Sequence, residues 1–224
     1  MSGSAVHTFR WQKSGSTSPT PEDLGTPAGG QAYALGISDD SRVAGQATFT
    51  SGGPFHAFAT DVFPDTVNNN NFDLGTFGGS ASEAFDVNDG SGTVGWAQNT
   101  GGYHRAFLVP IDCGTLNDHP QYALDALPGV TRIDWNSEAY GVNKSSQVVG
   151  KAQNQSLVYR AFLYNPGQGV IDLNSIIIDG GQTPASLGWT LTKAQAINDA
   201  GVIVGYGTIS GRNTCWIIYP KCQD

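Results

Sequence analysis

Glu83 and Glu138 stand directly before the alanine of two matching segments, Ala84-Phe85-Asp86-Val87-Asn88 and Ala139-Tyr140-Gly141-Val142-Asn143. Glycoside hydrolysis needs two carboxyls about 5–9.5 Å apart, and equivalent positions on neighbouring structural units would bring two glutamates near one another. In two further matching segments the same column holds Tyr33 and Lys193. A second column, directly after a glycine, holds Gln46, Trp96, Lys151 and Tyr206. Framework positions repeat because packing is periodic; positions that differ face solvent or something that is not periodic. Trp and Tyr rings suit stacking on sugars. The candidate ligand-binding residues are therefore Gln46, Glu83, Trp96, Glu138, Lys151 and Tyr206.

Other reactive groups carry less. No serine sits in a nucleophile-elbow context, and the one cysteine–histidine pairing close in sequence is Cys113 with His119. The run Asp86-Val87-Asn88-Asp89-Gly90 has the look of a calcium loop, but Lys144 takes the place of Asp89 in the next copy. A ligand position cannot be a lysine, so the run is expected to form a turn, and neither metal nor cofactor is expected. His7 and His56 share a column with Arg105 and Arg160. That column is expected to satisfy a neighbouring loop carbonyl.

These residues hang on an internal repeat. Ala-x-x-Val/Ile followed by a short turn and a Val/Ile/Ala-Gly pair occurs four times, with anchoring glycines at 45, 95, 150 and 205. Upstream of the copies lie Asp23-Leu24-Gly25-Thr26, Asp73-Leu74-Gly75-Thr76, Ala123-Leu124-Asp125-Ala126 and Asp172-Leu173-Asn174. Downstream lie His56-Ala57-Phe58, Arg105-Ala106-Phe107-Leu108, Arg160-Ala161-Phe162-Leu163 and Cys215-Trp216-Ile217-Ile218. The Asn/Asp/Gly tips between β-rich runs are hairpin turns. A glycine closing a short buried strand marks close backbone approach or a bulge.

Each unit thus predicts four short strands over about 50 residues, the size of one propeller blade. The predicted fold is an all-β propeller of four complete four-stranded blades, in one domain, with units at 22–62, 72–110, 122–166 and 170–220. A fifth copy of the last strand, at 5–12 with His7, Phe9 and Trp11, has no upstream partners. It is the remnant of a fifth blade, a strand that closes the ring on a blade of its own chain, or a strand given through residues 5–11 to a neighbouring subunit.

Composition narrows the partners. The 224 residues carry 19 Asp+Glu against 11 Lys+Arg, for a net charge of −8, with no basic cluster. That excludes a nucleic-acid surface. Charged residues are only 13%, about half the usual share, so uncharged polar groups cover the exterior. Apolar runs such as Ile176-Ile177-Ile178 are too short to span a membrane. The opening Met1-Ser2-Gly3-Ser4 has no apolar leader and reads as a start or processing scar.

The Leu-Gly-Thr turn, the Ile-Asn-Asp-x-Gly-x-Val-Val-Gly pattern and the His-Ala-Phe-Leu strand resemble the HAF family of extracellular bacterial repeats. The similarity runs from residue 5 to 220 and is closest over Gly188-Trp189-Thr190-Leu191-Thr192 and Ala196-Ile197-Asn198-Asp199-Ala200-Gly201. It implies export to the cell surface or beyond and a repetitive β architecture, and it carries no catalytic residues. In an exported chain, the three cysteines fit one disulfide and one thiol, as Cys113–Cys222 or Cys215–Cys222. The expected function is a non-catalytic extracellular or cell-surface module that binds carbohydrate or a surface polymer, or that assembles, with filaments through the spare strand. The alternative is a secreted carbohydrate-active hydrolase or lyase using Glu83 and Glu138 on one propeller face.

Overall fold

The computed structural model describes residues 5–11, 21–27, 30–60, 72–90, 92–110, 116, 119 and 122–220. The chain is all-β, and its strands pair antiparallel in five small sheets. In chain order they are β1 (Thr8–Trp11) and β2 (Pro21–Gly25), then β3 (Ala32–Ile37), β4 (Val43–Thr48), β5 (Phe55–Ala59) and β6 (Asp73–Gly75). The third sheet has β7 (Gly78–Asn88), β8 (Gly92–Asn99) and β9 (His104–Val109). The fourth has β10 (Ser137–Val142), β11 (Val148–Gln153), β12 (Tyr159–Asn165) and β13 (Gly169–Asp172). The last has β14 (Trp189–Ile197), β15 (Ile203–Ile209) and β16 (Arg212–Ile218). No helix among the described residues is long and apolar enough to cross a membrane.

The sheets are offset from the sequence units by one strand. The Leu-Gly segment that opens each unit bonds to the sheet before it: β2 to β1, β6 to β5, and Ala123 bridges to Phe107 of β9. A repeat fixes a period but marks no starting point, so the sequence could not show where one sheet ends. Two corrections follow. The strand at 5–12 is not alone, because β1 pairs with β2 as half a sheet. Among the described residues the four sheets after it are not all four-stranded: those of β7–β9 and β14–β16 have three.

Successive sheets are held by a division of labour between their two faces. The forward face, toward the next sheet in the chain, is flat and small-residued: Ala44 and Ala57, then Val94 and Ala106, then Val149 and Ala161. The backward face carries the large ring of the third strand, Phe58, Phe107, Phe162 or Trp216. Each junction also takes a leucine from the outer strand region, Leu24, Leu74, Leu124 or Leu173. Small against large lets the sheets interlock, and burying one such ring contributes about 1.5–3 kcal/mol.

A bulge recurs in each first strand. Register shifts between Ala34 and Gly36, Ala84 and Asp86, Ala139 and Gly141, and Ala194 and Ala196. The extra residue lets Ala84 and Val87, or Ala139 and Val142, share one buried face although they are three apart. It also presses the strand onto the anchoring glycine. A Cβ on Gly45, Gly95, Gly150 or Gly205 would lie 1.9, 2.0, 2.1 or 2.1 Å from the carbonyl oxygen of Tyr33, Glu83, Glu138 or Lys193. Glycine stands there because of the close approach expected of it, but it lies inside β4, β8, β11 and β15 and not at the end of a strand.

The hairpin tips converge. The Lys144 ammonium lies 3.1 Å from Asp39, 3.7 Å from Asp89 and 3.7 Å from Asp199. The Asp39 and Lys144 backbone N–H groups donate to the Asp89 and Asp199 carboxylates at 3.0 and 2.9 Å. Lysine at this one column is thus the counter-ion of three aspartates from the other three hairpins.

Gly150→Ala tests the close approach. Two backbones would have to part, so chemical denaturation is expected to show a loss of about 2–3 kcal/mol, with no compensation from side-chain movement.

Candidate functional site

The bulge and the glycine set the site directly, because the carbonyls that press on the four glycines belong to the variable column Tyr33, Glu83, Glu138 and Lys193. Across the strand each of these pairs with the second variable column: Tyr33 with Gln46, Glu83 with Trp96, Glu138 with Lys151, and Lys193 with Tyr206. Both columns therefore run along the first two strands of successive sheets.

Five of the six candidates join one network across three sheets. Trp96 Nε1 donates to Glu83 Oε2 at 3.1 Å, and the indole stacks on the His104 ring at 3.7 Å. His104 Nδ1 lies 3.4 Å from Glu138 Oε1, and Lys151 Nζ is 3.1 Å from Glu138 Oε2. The Tyr140 hydroxyl donates to the same Glu138 oxygen. Tyr140 stacks on Phe85 at 4.8 Å and lies 3.2 Å beneath the Lys193 ammonium, which is 6.0 Å from the Tyr206 ring. The Tyr206 ring is 48% exposed at the network's edge. Gln46 stands in the first complete sheet, where Tyr33 packs on Phe55 at 5.7 Å.

The electrostatics of the two glutamates diverge. Burial raises the Glu83 carboxyl above its ordinary value, reinforced by the Glu138 charge and opposed by the Trp96 hydrogen bond. Burial acts on Glu138 in the same sense, but bonds from His104 and Tyr140 and the Lys151 ammonium overcome it and bring its pKa to about 2. Burial, followed by the Glu138 hydrogen bond, pushes the Tyr140 phenol up. Burial and the charge of Lys151 push Lys193 down. Both oxygens of Glu138 are engaged, so it is a fixed charge rather than a free nucleophile.

His104, Tyr140, Phe85, Tyr159 and Lys193 complete the network beyond the six candidates. Phe85 and Tyr140 sit at the bulge, in a third variable column with Leu35 and Gln195. His104 and Tyr159 begin their strands, as Phe55 does; Tyr159 lies 4.7 Å from Lys151 Nζ. These two columns were the signals available in sequence.

The remaining groups have structural partners. Arg105 donates to the Ile133 carbonyl at 2.7 Å, as its column predicts, and also to that of Trp135. His7 and His56 instead meet Asp23 and Asp73 at 2.8 and 3.0 Å. Cys215 is an exposed free thiol, while Met1–Ser4, Cys113 and Cys222, and with them both proposed disulfides, lie outside the described residues. Among the described residues no group of three His, Cys, Asp or Glu could hold a metal ion.

The opposite shifts give opposite pH signatures. Glu138 binds its proton more weakly folded than unfolded, so it stabilises the fold above about pH 4.5 and loses that contribution as pH falls toward 2. Glu138→Gln should cost about 1–3 kcal/mol at pH 7 and flatten the acid limb of a denaturation–pH profile. Glu83 has the reverse sign: its raised folded pKa favours folding below that value and opposes it as pH rises above. Glu83→Gln should therefore be neutral or stabilising at pH 7. Equal losses in the two variants would contradict this assignment.

The chain matches no family model, no curated protein and no solved structure.

Proposed function

We propose that this chain is a non-catalytic, exported repeat module of the HAF type that binds carbohydrate where its variable columns meet. The observation that carries the reading is the joining of Glu83, Trp96, Glu138, Lys151 and Tyr206 into one network, while the repeating positions around them are buried in junctions. Aromatic faces bordered by fixed donors and acceptors are what sugars require: ring planes for the C–H face, polar groups for hydroxyls. The half-exposed Tyr206 ring is the stacking platform. Trp96 supports it at a distance, since one indole face is covered by His104 and its N–H is held by Glu83. A chain of net charge −8 with few cations in the network does not suit polyphosphate.

In this reading the four larger sheets are the blades of a four-bladed propeller, preceded by the β1–β2 half-sheet. Its support is the gathering of four hairpin tips on the Lys144 ammonium and the same small-on-large junction repeated between neighbours. Export is supported by the resemblance of the repeat columns and by an exterior poor in charge.

A second reading, a glycoside hydrolase or lyase, has one observation in its favour. Two carboxyls with pKa values driven apart are the arrangement that separates an acid from a base. Against it stands Glu138, whose oxygens are committed to three partners.

A glycan array followed by titration calorimetry distinguishes the two. The expected result is binding of a soluble glycan without turnover, weakened about tenfold by Tyr206→Ala. Turnover abolished by Glu83→Gln would favour the enzyme, and binding untouched by Tyr206→Ala would remove the site.

A further inference from the structure

The two ends of the series of sheets are left with complementary faces. Ala44, Val94 and Val149 occupy one column of the second strand and are fully buried against the next sheet. Val204 holds that column in β15, the second strand of the last described sheet, and is 40% exposed. Ala57, Ala106 and Ala161 are buried in the third strand, yet their counterpart Cys215 is exposed. Ile217, next on the same face, is 50% exposed. The result is an apolar groove of about 1240 Å³ whose lining includes Ile177, Leu187, Val204, Tyr206, Ile217 and Tyr219.

At the other end β1 shows the opposite bias. Its forward residues Thr8 and Arg10 are buried, while its backward residues Phe9 and Trp11 are 67% and 59% exposed. Phe9 holds the column of Phe58, Phe107 and Phe162, rings that internal junctions bury, and Trp11 that of the buried Val109. The forward face of β14–β16 thus lacks the ring that every earlier forward face receives, and β1 carries an unburied copy of that ring.

Among the described residues the two faces do not meet within one chain: the groove is lined by residues between 176 and 220, with none from β1–β3. The half-sheet is tied down elsewhere: Val6 bridges to Gln31, and Arg10 pairs with Glu22 at 2.8 Å and donates to the Ser41 carbonyl at 2.7 Å. Swinging it across the molecule would break these contacts around a buried guanidinium.

We propose that the forward face of β14–β16 docks the β1–β2 half-sheet of a second copy of this chain, with Phe9 and Trp11 seated over Cys215 and Ile217. The contact is heterologous: each copy offers one face and accepts the other, so it propagates head to tail into a filament unless the ring closes. It continues the ring-bearing junction already used four times inside the chain and does not depend on the carbohydrate reading.

The test is light scattering across a concentration series, under reducing conditions, on the full chain and two variants. The wild type should grow in mass with concentration, and its Cys215 should become protected from alkylation as it does so. Phe9→Ser/Trp11→Ser and Ile217→Lys each remove one face at exposed positions, so both should remain monomeric with unchanged melting. An equimolar mixture of the two variants keeps one intact face of each kind and should stop at a dimer. A wild type that stays monomeric at every concentration, or variants that associate as the wild type does, overturns the proposal. A monomer with Cys215 already protected would instead mean that the two ends close within one chain, and overturns it equally.

Discussion

A small antiparallel sheet has two faces and cannot bury either by itself; the rest of this molecule follows from how that is solved. Each of the three middle sheets offers a flat face of alanine and valine to its successor and a face bearing one large ring to its predecessor. The asymmetry is directional, so the sheets can be added in only one sense and every junction resembles the last. It also makes both ends differ from the middle, since among the described residues no sheet covers the backward face of β1 or the forward face of β14–β16. The exposure of Phe9 at one end and of Val204 at the other is the same fact seen twice.

The network of Glu83, Trp96, Glu138, Lys151 and Tyr206 is a by-product of this packing. The bulge that lets Ala139 and Val142 face the same core also pushes the Glu138 carbonyl onto Gly150. The side chains of that strand then project where successive sheets meet, and rings and charges from three sheets come within reach of one another. Once there, burial would neutralise them unless they pair. Glu138 is satisfied by two hydrogen-bond donors and an ammonium and stays ionised; Glu83, with an indole N–H for partner, is pushed toward its neutral form. The difference between two residues of one repeat column is thus a difference in neighbours.

Much of this was legible in the sequence, for a physical reason. Packing between like units is periodic, so the columns of Gly150, Ala161 and Phe162 announced themselves by recurring, and Glu83, Trp96, Glu138, Lys151 and Tyr206 by breaking the recurrence. The phase of the unit was not legible, because the hydrogen bonds that attach β6 to β5 run backward across a repeat boundary that sequence does not mark. Nor was the place of Phe85 and Tyr140, since strict strand alternation has no room for the extra residue a bulge inserts. Nor was the role of Lys144 as counter-ion to three aspartates, which depends on where the tips meet in space.

The most direct test of the directional junction is a matched pair of substitutions at one repeat column, Val149→Ala and Val204→Ala, compared by chemical denaturation in dilute solution. Val149 is sealed under the following sheet and Val204 is not. The account predicts a loss of about 2 kcal/mol for the first and a change within about 0.5 kcal/mol for the second. Equal losses at the two positions would contradict it, because they would mean that the last sheet is covered as fully as those before it.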